Sequence, residues 1–265
     1  MRLLAPPSGD DQTLLLRACG RTVAVDGPPL ALAAARERLP SIYRPGAAPP
    51  ERSWAVREQP GVGWAAAVED ELLAVTEDVV EATEVLLSDL ELWVAEFARK
   101  WVFVHAGCVA VGRQAIVLPG RSMTGKSSLT AALVRAGAEY YSDEYAVLDS
   151  RGLVRPYARL PALRPDLGAP ARRVHVEELG GKVGRGPANV ALIAVLRFEP
   201  GANWQPESLT RGPALLRLLD NTVAARSRPR AVLTALEGAT LNTRALAGTR
   251  GDADDAAARL LAMLA

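Results

Sequence analysis

Gly120-Arg121-Ser122-Met123-Thr124-Gly125-Lys126-Ser127 is the stretch of this chain whose residue types and spacing most directly imply chemistry. It fits the Walker A pattern G-x-x-x-x-G-K-[S/T] at every fixed position. The apolar run Ala115–Leu118 precedes it and the helix-periodic stretch Ser127–Ala136 follows, as the motif requires. Glycines let the backbone curl until successive N–H groups converge on phosphate oxygens, and the helix start adds a positive dipole end. Lys126 is placed to reach the β- and γ-phosphates of a nucleoside triphosphate, read as ATP, and the Ser127 hydroxyl to ligate Mg²⁺. Thr124, Gly125 and Ser128 complete the nucleotide-binding set, and Arg121, Ser122 and Met123 form the variable interior of the loop.

Two further groups flank the loop. His105 lies in the β-branched run Val102–Val111, just upstream. Asp143-Glu144 end the strand-like stretch that follows the loop's helix, which in a parallel sheet puts them beside the phosphates. Phosphoryl transfer needs a group that accepts the nucleophile's proton, and Mg²⁺ in such a site needs a carboxylate. Ser127, Asp143 and Glu144 are therefore the candidate metal ligands.

The elements that must position these residues alternate in type. Val102–Val111 and Gln114–Leu118, separated by Gly112-Arg113, read as a hairpin or two neighbouring strands, and Ala138–Tyr141 and Tyr145–Leu148 as strands. Asn189–Phe198 is an almost wholly apolar strand, Pro213–Ala224 a helix, Thr240–Leu246 a last strand and Asp252–Leu264 a final helix. The pattern is α/β. Residues 101–265 form the expected nucleotide-binding domain and residues 1–100 a small α+β accessory region. In that region Thr13–Ala18, Arg21–Val25, Ser53–Glu58 and Gly63–Thr76 read as strands, and Leu30–Arg38 and Val79–Lys100 as helices.

The order of histidine strand, phosphate loop, helix, "R-x-G", strand and acidic pair resembles the catalytic domain of HPr kinase/phosphorylase. Members of that family are serine kinases whose P-loop nucleotide fold is like that of phosphoenolpyruvate carboxykinase. The resemblance runs through Val104-His105-Ala106-Gly107, Leu118-Pro119-Gly120 to Ser128, and Arg135-Ala136-Gly137 to Asp143-Glu144. It implies that Asp143 takes the proton from a serine hydroxyl, that His105 assists it, that Lys126 acts on the phosphates, and that Glu144 stands near the metal. Glu144 departs from the family's second aspartate, and the segment used in the family's reverse reaction has no counterpart here. The chain is similar to divergent relatives that phosphorylate a serine on a peptide or small protein. The family also tends toward homo-oligomers. Two other readings share the loop: a kinase for free serine or a sugar, and a nucleotide-bound regulatory module in a peptide-modification system.

Bulk properties exclude some classes. Net charge is +1 over 265 residues, so no global field points to nucleic acid or a membrane surface. No apolar run has the length of a membrane helix, and the N-terminus lacks the order of a signal peptide, so the expected compartment is the cytoplasm. Cys19 and Cys108 stand far apart, as buried thiols rather than a disulfide or zinc framework. Lys182 and Arg185 in the glycine-rich stretch Gly180–Gly186, and Arg155, Arg159 and Arg164 among prolines, are secondary candidates for phosphate or acceptor contact.

Overall fold

The computed structural model describes residues 5–120, 124–164 and 171–264 of a mixed α/β chain. It divides into two compact units, Met1–Lys100 and Trp101–Ala265. Among the described residues no helix is long and apolar enough to cross a membrane.

The N-terminal unit contains β1 (Gln12–Ala18), β2 (Arg21–Gly27), α1 (Pro29–Arg38), β3 (Arg44–Pro45), β4 (Arg52–Gln59), β5 (Gly63–Val68), β6 (Glu71–Thr76) and α2 (Val79–Phe97). The strands form one sheet in the order β3-β1-β2-β4-β5-β6, with β2 and β4 parallel and the other pairs antiparallel. The stretch expected from Gly63 to Thr76 is two strands, because it turns back at Glu69-Asp70, with Glu69 at φ 48. Helix α2 starts where the Asp78 carboxylate accepts from the N–H groups of Val80 and Glu81. It buries Ala82, Leu86, Leu90 and Val94 at helical spacing. Trp54 of β4, fully buried, ties helix to sheet: its indole N–H donates to Asp89 at 2.7 Å and its ring meets Trp93 edge-on.

The C-terminal unit contains β7 (Val102–Val111), β8 (Gln114–Pro119), α3 (Lys126–Arg135), β9 (Glu139–Ser142), β10 (Tyr145–Leu148), β11 (Val154–Arg155), β12 (Ala162–Leu163), β13 (Arg172–Arg173), β14 (Asn189–Phe198), β15 (Glu207–Ser208), α4 (Arg211–Leu219), α5 (Pro229–Ala239), β16 (Arg244–Arg250) and α6 (Ala253–Ala262). Its main sheet runs β11-β10-β7-β8-β14-β16-β15, with β9 also on β7. Alternate residues of β8 face opposite layers, as a strand's period of two dictates. Ile116 and Leu118 pack with Leu129, Leu133 and Leu260 of α3 and α6; Ala115 and Val117 pack with Leu218, Val232 and Leu236 of α4 and α5. Each such fully buried leucine or isoleucine contributes about 1.5–3 kcal/mol. Both cysteines are free and buried, and burial pushes both thiols up, that of Cys19 to about 12.

Three expectations change in this unit. The helix expected to Ala224 ends at Leu219, because the chain beyond it pairs with β7: His105 N–H donates to the Asn221 carbonyl and Val223 N–H to that of Phe103. Pro229–Ala239 is an additional helix, with proline at its start and Val232, Ala235, Leu236 and Ala239 on its buried face. The last strand is Arg244–Arg250 rather than Thr240–Leu246, since Thr240 is the C-cap of α5.

Candidate functional site

Strand β7 is the common neighbour of the glycine-rich loop and the acidic pair. It is antiparallel to β8, with Ala106 opposite Pro119, and antiparallel to β9 and β10, with Cys108 opposite Ser142 and His105 opposite Tyr145. The acidic pair therefore does not end a strand in a parallel ladder. Two antiparallel steps nevertheless give β8 and β9 the same direction, so their carboxyl ends share one edge of the sheet. At that edge Gly120 N–H donates to the His105 carbonyl at 3.3 Å, while Ala106 N–H donates to the Glu144 carbonyl at 3.0 Å.

The described part of the loop is held from beneath. Phe198 N–H, at the end of β14, donates to the Thr124 carbonyl at 3.1 Å. The Gly125 carbonyl accepts from Arg250 Nη2 at 2.9 Å and from Leu129 N–H at 3.1 Å. A trans peptide points its N–H opposite to its C=O. The N–H groups of Gly125 and Lys126 consequently turn away from those partners, toward the open side of the helix start. Gly125 has φ 85, and a Cβ there would lie 2.6 Å from Arg250 Nη2, so both backbone and space demand glycine.

Helix α3 lies close on β7 because Gly107 has no side chain: a Cβ there would stand 2.4 Å from Thr130 Oγ1. Thr130 is one turn beyond Lys126 on the same helix face, so the close approach also brings Lys126 to the strand. Lys126 is 9% exposed. Burial pulls its ammonium below the usual lysine range, and the neighbouring Glu144 and Asp143 oppose that shift.

The acidic pair sits on a corner between β9 and β10. The Ser142 hydroxyl oxygen closes it by accepting from the N–H groups of Glu144 and Tyr145 at 3.1 and 3.0 Å. Asp143 is 4% exposed, and both its oxygens are engaged: Tyr140 OH donates to Oδ1 at 2.9 Å and Ala162 N–H to Oδ2 at 3.0 Å. Burial, then the Asp143 charge, raises the Tyr140 phenol well above its usual range, so Tyr140 remains a donor. Glu144 is more open, with its side chain 34% exposed, and its Oε1 faces His105 Nε2 at 3.2 Å. His105 Nδ1 faces the Glu144 carbonyl at 3.1 Å, and the ring packs on Tyr145, itself edge-on to Phe103 and Tyr157.

Gly120, Thr124, Gly125, Lys126, His105, Asp143 and Glu144 thus gather at one sheet edge, with Ser127 half-buried and Ser128 exposed on the first turn of α3. Arg121, Ser122 and Met123 lie outside the described residues. Among the described residues no group of three or more His, Cys, Asp or Glu could hold a metal ion. Mg²⁺ typically takes one or two carboxylates and fills the rest of its shell with phosphate oxygens and water, so the Ser127 hydroxyl with one of the acidic pair suits it.

The secondary candidates divide. Lys182 and Val183 run along β9 through backbone bonds with Tyr140, and Lys182 pairs with Glu139 at 3.1 Å. Arg155 pairs with Asp149 and stacks over Trp101. Arg159 lies near enough to Tyr140 to pull its phenol down against the dominant upward shift, which puts it by the Asp143 corner. Tyr140 and Arg250 are the site residues that sequence reasoning missed. No protein-family model matches the chain, and no curated protein matches it.

Proposed function

We propose that the chain is an ATP-dependent kinase that transfers the γ-phosphate to a serine hydroxyl of a peptide or small protein, on a P-loop fold of the HPr kinase and phosphoenolpyruvate carboxykinase type. The observation that carries this reading is the arrangement around β7, with a G-x-x-x-x-G-K-S loop bonded to one side of His105-Ala106 and an acidic corner to the other. A hydrolytic motor needs only a positioned water there. A buried lysine flanked by two carboxylates of unequal exposure suits an incoming hydroxyl better.

In this mechanism the loop N–H groups and Lys126 would hold the β- and γ-phosphates, and Ser127 with a carboxylate of the acidic pair would hold Mg²⁺, which would neutralise phosphate charge. The acceptor oxygen forms its bond to the γ-phosphorus as the bond to the β,γ-bridging oxygen breaks. The hydroxyl proton passes to Asp143, whose carboxylate Tyr140 and Ala162 fix in one orientation. His105 orients Glu144. A second reading has its own observation: Glu144 is the more exposed carboxylate, which favours it as the proton acceptor with Asp143 holding the corner.

Transfer of label from Mg-ATP to serine peptides tests the proposal. Asp143→Asn is expected to lower the transfer rate about 10²–10⁴-fold with nucleotide binding retained, and Glu144→Gln to lower it less. The reverse ranking moves the base to Glu144. Absence of transfer to any hydroxyl acceptor, with ATP bound, favours the regulatory module.

A further inference from the structure

Arg250 is the most deeply buried charged side chain among the described residues, at 2% exposure, and no carboxylate there lies within ion-pair distance of it. It ends β16. Its guanidinium donates to two backbone carbonyls, Gly125 at 2.9 Å through Nη2 and Gly251 at 2.9 Å through Nη1, and lies over the Phe198 ring at 5.2 Å. Desolvation holds it below the usual arginine range, with only the exposed Asp252 opposing. An isolated cation in such a place costs several kcal/mol of desolvation that two carbonyls and an aromatic face offset in part. A fold gains nothing obvious from that cost, since an apolar side chain of similar volume fills the same space more cheaply.

The geometry points to Arg250 as a positioning residue for a bound polyphosphate. Its guanidinium clamps the Gly125 carbonyl to the end of the sheet, which keeps the N–H groups of Gly125 and Lys126 turned outward. It also stands behind the helix start as a fixed positive charge, adding to the dipole of α3. The clamp and Phe198 N–H on Thr124 together anchor two successive carbonyls of the loop to two parallel strands, β14 and β16. This inference rests on the nucleotide-binding reading for its ligand, but the clamp itself is a property of the unliganded chain.

The full chain with Arg250→Met and Arg250→Lys is the test, with two measurements. The first is amide hydrogen exchange across residues 124–130 without nucleotide, followed by mass spectrometry. The second is equilibrium binding of Mg-ATP, ADP and AMP. In the methionine variant exchange of this segment is expected to accelerate about tenfold or more, as loss of a charged hydrogen bond implies. Its affinity is expected to fall more for ATP than for ADP, and more for ADP than for AMP. Lysine is expected to restore the preference for ATP by its charge without restoring slow exchange, a split that a purely structural residue does not give. Thermal unfolding identifies which variant is folded, and the lysine variant carries the exchange comparison if methionine fails to fold. Unchanged exchange in a folded variant overturns the assignment, as does an equal loss for all three nucleotides. Wild-type protein that binds no nucleotide overturns the functional reading instead, and the exchange result then decides the clamp by itself.

Discussion

The two units of this molecule differ in how much charge they bury. Among the described residues the N-terminal unit buries one charged side chain, Glu91 of α2, and its ion pairs Arg21–Glu51 and Arg38–Glu84 stay at least partly in water. In the C-terminal unit four are buried: Asp143 and Asp149 directly follow β9 and β10, Arg250 ends β16, and Lys126 opens α3. Burying charge weakens a fold unless the pairing is very good. The contrast teaches where to look for chemistry: of the four charges buried in the C-terminal unit, Lys126, Asp143 and Arg250 gather around the glycine-rich loop.

Three substitutions break or sharpen this contrast. Lys126→Met is the most severe for function, with an expected loss of about 10³-fold or more in phosphoryl transfer, since charge stabilisation supplies most of that rate. Its urea midpoint is expected to stay level or rise, because a buried cation is removed. A variant that unfolds instead places Lys126 among the structural residues. Trp54→Ala in the N-terminal unit is the opposite case. It is expected to cost about 3–5 kcal/mol in urea unfolding of that unit. Nucleotide binding measured below the transition is expected to stay intact.

The smallest effect concerns pH. Burial, with Cys108 and Glu139 nearby, pushes the Tyr141 phenol from its usual 10.0 up to about 12. The folded state thus holds that proton more tightly than the unfolded chain does. The resulting stability is complete below pH 10 and is lost as pH rises toward 12. The urea midpoint is expected to fall across that window, and Tyr141→Phe to flatten the fall. An unchanged slope assigns the alkaline weakness to another group.

What the sequence reveals depends on how local each determinant is. The strand before Gly120, the helix that starts at Lys126 and the antiparallel pairing across Gly112-Arg113 are short-range, and all are legible from residue types alone. The mixed direction of the sheet is not. Nothing in β9 itself says that it pairs with β7 rather than β8, since register and partner are settled by long-range packing. The end of α4 is hidden for the same reason: Asn221 and Val223 follow closely on Leu219 but leave the helix to pair with β7. Arg250 was unreadable because arginine is common throughout the chain and only the fold places this one behind Gly125. Tyr140 offered a fainter signal, an aromatic hydroxyl three residues before Asp143. The strand expected over Thr240–Leu246 starts later, at Arg244, because Thr240 ends α5.

One consequence of β7 concerns distance. Because it separates β8 from β9, two inter-strand steps of about 4.8 Å each lie between the loop and the acidic corner, a gap of about 10 Å. Backbone pairing sets that spacing, so it acts as a gauge that no side-chain substitution resets. Insertions in the hairpin at Gly112-Arg113 leave it alone, while a one-residue slip in β7 turns His105 to the other face and ruins it. In the proposed kinase the choice of acceptor would then fall to residues across the mouth of the gap, leaving substrate preference free to drift while the spacing from loop to acidic corner stays constant.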